Sequence, residues 1–265
     1  MKFLGWFSAG VSSAAAIKIA LDEGLDIDLY YVDTGAVSPD NDRFIKDCER
    51  WYSREIARVK NCKYDNPLDV ARKRKIFNTP NGSPCTMFLK REVYKQIQKR
   101  YGEYVNVIGY DYSPREIDRA VRYKLEIGNA YFPLIEHRID KPTAMKMLAD
   151  AGIELPEFYR NGYRNNNCIG CFKGGCGYWN KIRRDYPQVF SETATLEREI
   201  GASVLKDKGR PLYLDELPPS KGIYKPIEPC DGLFCMTSKI VSAQIADKER
   251  FIKLENKECG RSSRL

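Results

Sequence analysis

Histidine is all but missing: His137 is the only one among 265 residues. With no second imidazole, histidine-based catalytic triads and histidine-rich metal sites are not expected. His137 itself follows the apolar run "YFPLIE", where a strand-end structural role is the expectation. The chain also lacks any apolar run near the roughly 18 residues that a membrane span needs. Its apolar start, "MKFLGWF", is cut short by Ser8, Ala9 and Gly10 before it reaches the length of an export signal. No internal repeat and no low-complexity tract interrupts the pattern. Neither the Gly-Lys-Ser/Thr ending of a Walker loop nor the GxGxxG of a dinucleotide fold is present. Nine cysteines without a pairing framework argue against a secreted disulfide scaffold and for a reducing compartment. A soluble, cytoplasmic protein without a membrane partner is expected.

The chain is long enough to bury one large core, or a core with an attached subdomain. Its 44 basic against 36 acidic side chains leave a net charge of +8, which suits a polyanionic partner such as a nucleotide, with nucleic acid also open. The densest basic run is "ARKRK", Arg72 to Lys75, read equally as a solvated helix face or a phosphate patch.

"KFLGWF" reads as a strand, Ser8 to Ser12 as a turn, and Ser13 onward as an alanine-rich helix. Such a loop aims unpaired amides along the positive end of the helix dipole, and Gly10 with its small neighbours lets an anion approach. A second strand, "DIDLYYVD", ends at Asp33, Thr34 and Gly35, where open parallel sheets meet their ligands. A helix over 41–54, a strand in "IARVKNC", a short helix in "PLDVARKRKIF" and a helix over 85–100 follow. Then come a strand in "EYVNVIGY", the helix "SPREIDRAVRYKLEI" and a strand "AYFPLIE". Strands alternating with helices predict an α/β fold with a parallel sheet covered on both faces. Beyond the helix "KPTAMKMLADAGI" the chain turns irregular; "YWNKIRRDYPQVF" and "SETATLEREIG" read as helices and "GRPLYLDELP" as a short strand.

The irregular stretch "NNNCIGCFKGGCGYW" sets Cys168 and Cys171 in a C-x-x-C turn, with Cys176 five residues on. Two thiolates so spaced can serve structural zinc, an iron–sulfur cluster or a redox disulfide. The disulfide ranks last, because the pair does not open a helix after the first strand. Further ligands are sought among Cys85, Cys176, Cys230 and Cys235, while Cys48 and Cys62 read as buried packing.

These pieces, in this order, resemble the sulfonucleotide (PAPS and APS) reductases and the wider PP-loop family of adenine nucleotide α hydrolases. "FSAGVSS" is similar to the family's SGGxDS loop, with Ser8, Gly10 and Ser13 matching and Ser12 where many members carry aspartate. "YVDTGAVSPD" resembles DTGxxFPET, "CTMFLKREV" the C-x-x-x-x-K helix start, "YFPLIE" the PLxxW strand, "CIGC" the C-x-x-C of the iron–sulfur branch, and "KECG" the start of the ECG-[LI]-H tail. The likeness covers roughly residues 1–185. It implies a Rossmann-like nucleotide domain over 1–185 and a less regular, cysteine-containing appendage over 186–265. Ser8, Ala9, Gly10, Ser12, Ser13, Asp33, Thr34, Gly35, Gly109, Arg115 and Arg119 would then bind the nucleotide, with Arg122 of the same basic group near it. Cys85, Cys168, Cys171 and Cys235, with Cys176 as an alternative fourth, would hold a [4Fe–4S] cluster or zinc. Lys90 and Cys259 would be catalytic. The chain departs from the pattern at Cys85-Thr86, where the family has a cysteine pair, and at Arg261, where the tail has a hydrophobic residue.

Two activities follow as expectations. In one, sulfite is released from PAPS or APS with a thioredoxin-like reductant. In the other, an ATP pyrophosphatase-type sulfur transferase, with magnesium on ATP, adenylates a nucleic acid or other acceptor. A nucleotide-binding module without chemistry, its cap held by zinc, is the third reading.

Overall fold

A computed structural model of the chain describes residues 1–225. Five strands, β1 (Lys2–Phe7), β2 (Ile27–Asp33), β3 (Ala57–Lys60), β4 (Tyr104–Val107) and β5 (Ala130–Tyr131), form one parallel sheet in the order β3-β2-β1-β4-β5. Parallel neighbours require crossovers, and the helices supply them. They are α1 (Val11–Asp22), α2 (Asn41–Tyr52), α3 (Pro67–Arg74), α4 (Pro84–Thr86), a π-helical turn (Met87–Arg91), α5 (Glu92–Gln98) and α6 (Pro114–Ile127). The α/β architecture expected from the alternating pattern is therefore present, with helices on both faces.

Strand periodicity explains how two cores arise from one sheet. Along β1, Phe3 and Phe7 face α1 and α2, whereas Leu4 and Trp6 join Val93 and Ile97 of α5 on the opposite side. Within α1, Ala14, Ala15, Ala16 and Ala20 are all fully buried, so the absence of bulk lets this helix lie close to the sheet. The short α7 (Pro133–Glu136) and α8 (Lys141–Asp150) complete that side, through Leu134, Ala144 and Leu148.

A further core lies beyond the sheet. It joins α9 (Glu157–Arg160), α10 (Cys176–Asp185), α11 (Pro187–Ile200) and the antiparallel hairpin β6 (Leu205–Asp207) and β7 (Arg210–Leu212). Trp179, Tyr163, Phe77 and Phe158 are its largest fully enclosed side chains. Truncating such an aromatic costs about 3–5 kcal/mol. Glu197, fully buried, accepts the Val204 and Leu214 amide hydrogens at 2.6 Å each and so fastens the hairpin to α11. Helices from both sides of position 185 contribute to this core.

Several local expectations are corrected. The strand expected in "AYFPLIE" stops at Tyr131, and Pro133 opens α7 instead, since proline cannot donate to a ladder but suits the first helical position. His137 therefore follows a helix; its Nε2 lies 2.7 Å from Glu23 Oε1. "YWNKIRRDYPQVF" divides into two helices at Tyr186, because the residue before Pro187 is driven out of the helical region, here to φ −138° and ψ 63°. "GRPLYLDELP" contributes strand only over Arg210–Leu212, followed by a 3-10 turn at Leu214–Glu216. The helix read over 85–100 contains the π-helical turn. Cys48 is buried, but Cys62 is exposed: β3 is an edge strand that ends at Lys60, so Cys62 lies beyond it. Cys230, Cys235 and Cys259 lie outside the described residues.

Candidate functional site

The strand order reverses between β1 and β4, and the crevice beyond their carboxyl ends is where ligands are met in open α/β sheets. Three loops converge there. After β1, Ser13 Oγ donates to Gly10 O at 2.8 Å, accepts the Ser8 amide hydrogen at 3.1 Å and lies 3.0 Å from Ser8 Oγ. Ala9 adopts φ 54°, and its carbonyl accepts from Asn166 Nδ2 at 2.7 Å. The Val11 amide at the start of α1 is hydrogen-bonded to the Tyr159 hydroxyl, whose pKa burial pushes up to about 12. The Ala9, Gly10 and Ser12 amides make no hydrogen bond among the described residues.

The loop after β4 abuts this turn. A Cβ on Gly109 would stand 2.5 Å from Ser13 Cα, so only glycine permits the approach. Asp111, two residues on, accepts from Ser12 Oγ at 3.4 Å and from Ser113 Oγ at 2.7 Å. After β2, the Gly35 amide donates to Asp33 Oδ1 at 2.8 Å. Gly35 has φ 71°, and a Cβ there would meet Asp65 O at 1.9 Å.

A cavity of about 1120 Å³ opens beside these loops. Six cationic residues line it: Lys90, Arg115, Arg119, Lys141, Arg164 and Lys173, against two acidic ones, Asp111 and Glu116. Arg119 donates to Glu116 at 2.5 Å and packs over the Tyr110 ring at 4.3 Å. Arg115 forms no ion pair among the described residues. Lys141 donates to the Arg164 carbonyl at 3.0 Å, and burial pulls its pKa down while Asp111 and Glu116 oppose that. Burial also disfavours the charge on Lys90, but Cys168, Tyr94, Cys171 and Tyr31 around it carry its pKa above the ordinary lysine value. The cavity is thus electropositive, as a multiply charged anion requires.

Cys85, Cys168, Cys171 and Cys176 line the same cavity. Cys168 Sγ lies 3.0 Å from Thr34 Oγ1, and the Ile169 amide donates to Ala36 O at 2.7 Å, so the cysteine turn is tied to the end of β2. Tyr178 holds the turn from the other side. Its hydroxyl oxygen accepts the Cys171 amide hydrogen at 3.0 Å and its proton goes to Cys168 O at 3.2 Å. Burial, reinforced by Cys168 and Cys171, pushes the Cys85 thiol up to about 11, and burial raises Cys171 as well. Among the described residues, no three Cys, His, Asp or Glu side chains are grouped to hold a single metal ion.

Of the residues singled out from sequence, Thr34, Arg115, Arg119, Lys90, Cys85, Cys168, Cys171 and Cys176 line the cavity. Ser8, Ala9, Gly10, Ser12, Ser13, Asp33, Gly35 and Gly109 do not; they shape the loops beside it. Sequence reasoning missed Asp111, Lys141, Arg164, Lys173 and Tyr178. Lys173 and Tyr178 stood within the quoted cysteine stretch, whereas Lys141 and Arg164 carry no local signal and enter only through tertiary packing.

No model of a known protein family matches the chain, and no curated protein matches it.

Proposed function

We propose that the cavity binds an adenine nucleotide through its phosphate or sulfate groups, and that the cysteines beside it hold a [4Fe–4S] cluster serving sulfur chemistry of the sulfonucleotide reductase kind. One observation carries this reading: six cationic side chains and four cysteines share one cavity at the point where the strand order reverses. Arginine forks at Arg115 and Arg119 suit phosphate oxygens, and half-buried Lys141 adds a further positive charge.

The donor set favours a cluster over zinc. A tetrahedral zinc with bonds of about 2.3 Å gathers its sulfurs to within about 4 Å of each other. The described cysteines surround a cavity without forming so tight a group. A cluster takes each cysteine on a separate iron and accommodates wider spacing. Cys85, Cys168 and Cys171 would be three ligands, with Cys176 or Cys235 the fourth. Buried thiols with raised pKa values ionise readily only beside a positive centre, which bound metal supplies.

In the reductase reaction, a cysteine thiolate attacks the sulfur of the adenylyl sulfate. A sulfur–sulfur bond forms, the sulfur–oxygen bond breaks, and the electron pair leaves on the phosphate of AMP or its 3′-phosphate. A dithiol reductant of thioredoxin type then takes over the sulfur link, releases sulfite and is itself oxidised to a disulfide. Cys259 is the proposed nucleophile. Arg115, Arg119 and Lys141 would stabilise the charge that develops on the leaving phosphate.

A second reading, an ATP-dependent sulfur transferase using magnesium, is favoured by size. The cavity exceeds the roughly 300–1,000 Å³ of most small-ligand sites, leaving room for an acceptor beside ATP. Anaerobic turnover separates the two. Sulfite from PAPS or APS with thioredoxin supports the first, pyrophosphate from ATP with an acceptor supports the second, and neither product refutes both.

A further inference from the structure

The basic run at the end of α3 was ambiguous as sequence, because cations there also complement a helix dipole. Its surroundings differ from those of a merely solvated face. Arg74 has no carboxylate partner among the described residues; it packs over the Phe88 ring at 4.1 Å and donates through Nε to the Tyr64 hydroxyl at 2.9 Å. Lys73 lies over Tyr64 at 5.2 Å, and the Tyr64 and Phe88 rings are themselves 5.2 Å apart. Lys63 and Lys75 are exposed and also form no ion pair among the described residues. Arg72 and Lys73 are matched by Glu199 and Asp69. Only Arg74 is thus both held in place by an aromatic ring and not neutralised by an acid, so that its ordering is already met before a partner arrives, while Lys63 and Lys75 add exposed, unpaired charge.

The face also adjoins the cavity. Pro67, the first residue of α3, lines it, and the π-helical turn that carries Phe88 presents Leu89 and Lys90 to it.

We propose that this surface, built on Lys63, Tyr64, Arg74, Lys75 and Phe88, binds a single strand of nucleic acid. The lysines and Arg74 take the phosphodiester backbone, and the Arg74 and Tyr64 planes serve unstacked bases. Positive charge interleaved with rings is what a sequence-tolerant single-strand site needs, whereas a duplex or an anionic membrane would make no use of the rings. The binding claim stands apart from the nucleotide reading; only the further step, that the strand is the acceptor, rests on the transferase reaction.

The test is fluorescence anisotropy with a labelled 20-nucleotide single strand of mixed sequence, as RNA and as DNA, on the full-length protein between 50 and 200 mM salt. With about three phosphates neutralised, one by each cation of this surface, the logarithm of affinity should fall against the logarithm of salt with a slope near −2. Lys63→Gln with Lys75→Gln should flatten that slope by about 1.4, and Tyr64→Ala should weaken binding about 10-fold or more. The two lysines are exposed, so their replacement spares the fold even where Tyr64→Ala does not. ATP affinity, measured on the same samples, should be unchanged in the lysine variant. The proposal is overturned if the strand fails to bind at 50 mM salt, if the lysine variant binds it equally well, or if ATP displaces it competitively. It is equally overturned if duplex or anionic vesicles bind more tightly than the single strand. ATP binding without strand binding would refute this surface and leave the nucleotide site standing.

Discussion

Thr34 and Cys168 are 134 residues apart in the chain, yet the hydroxyl of one and the sulfur of the other lie 3.0 Å apart. The end of β2 and the cysteine turn are thereby one structural unit, and the metal chemistry proposed for the turn is placed against the crevice of the sheet. Anaerobically purified protein should be brown and contain iron. Cys168→Ser should lose the visible absorbance and most of the iron, and Cys62→Ser, at an exposed position outside the cavity, should lose neither. Colourless wild-type protein carrying stoichiometric zinc would transfer the cysteines to a structural role.

Anion binding is expected to depend on Arg115 and Lys141. Hydrogen bonds to charged groups contribute about 1.5–3 kcal/mol, so Arg115→Ala or Lys141→Ala should each weaken adenylyl sulfate binding by about 10-fold or more in a calorimetric titration. Arg122, on the same helix but not lining the cavity, should tolerate alanine with little change in affinity.

Gly35 closes the β2 end by pressing against the backbone of Asp65. Gly35→Ala places a methyl group 1.9 Å from Asp65 O in a left-handed conformation. A loss of at least about 2 kcal/mol in urea unfolding is expected, from strain together with steric conflict. An unchanged midpoint would mean that the 65–66 turn yields freely.

Burial raises the pKa of Glu197 from its ordinary 4.5 to about 7, against the opposing pull of its two amide donors. A carboxyl that holds its proton more tightly when folded favours the fold fully below about pH 4 and loses that contribution as pH rises through about 7. Stability should therefore fall between about pH 5 and 8, by up to roughly 3 kcal/mol from this group alone. Glu197→Gln should lower stability throughout, since one of the two amides then faces an NH2 group, but should flatten this part of the pH profile. Persistence of the full slope in that variant would assign it to other groups.

The sheet was legible because strands β1, β2 and β4 are rich in apolar and aromatic residues, broken only by single polar ones such as Asp28 and Asn106, and their helices carry 3.6-residue spacing. The C-x-x-C turn was legible because its spacing is itself the chemistry. The strand read through Pro133 and the helix read through Pro187 failed for the same reason: apolar content outweighed proline, whose missing amide hydrogen and fixed ring decide the backbone. Cys62 was misplaced because an edge strand can end while its apolar pattern continues. The loop at Ser8 to Ser13 was readable as a turn before a helix, but sequence held no sign that Tyr159 would sit on the Val11 amide. Lys141 and Arg164, from distant segments with no motif, became neighbours of the cavity only when α8 and the cysteine turn folded against the sheet.

The nucleotide claim is tested most directly by a crystal structure of the anaerobically purified protein with adenylyl sulfate bound. The phosphate and sulfate oxygens are expected within hydrogen-bonding distance of Arg115 and Lys141, with the sulfur toward Cys168 and Cys171. A saturating ligand that leaves this cavity empty, or binds elsewhere, would contradict the assignment.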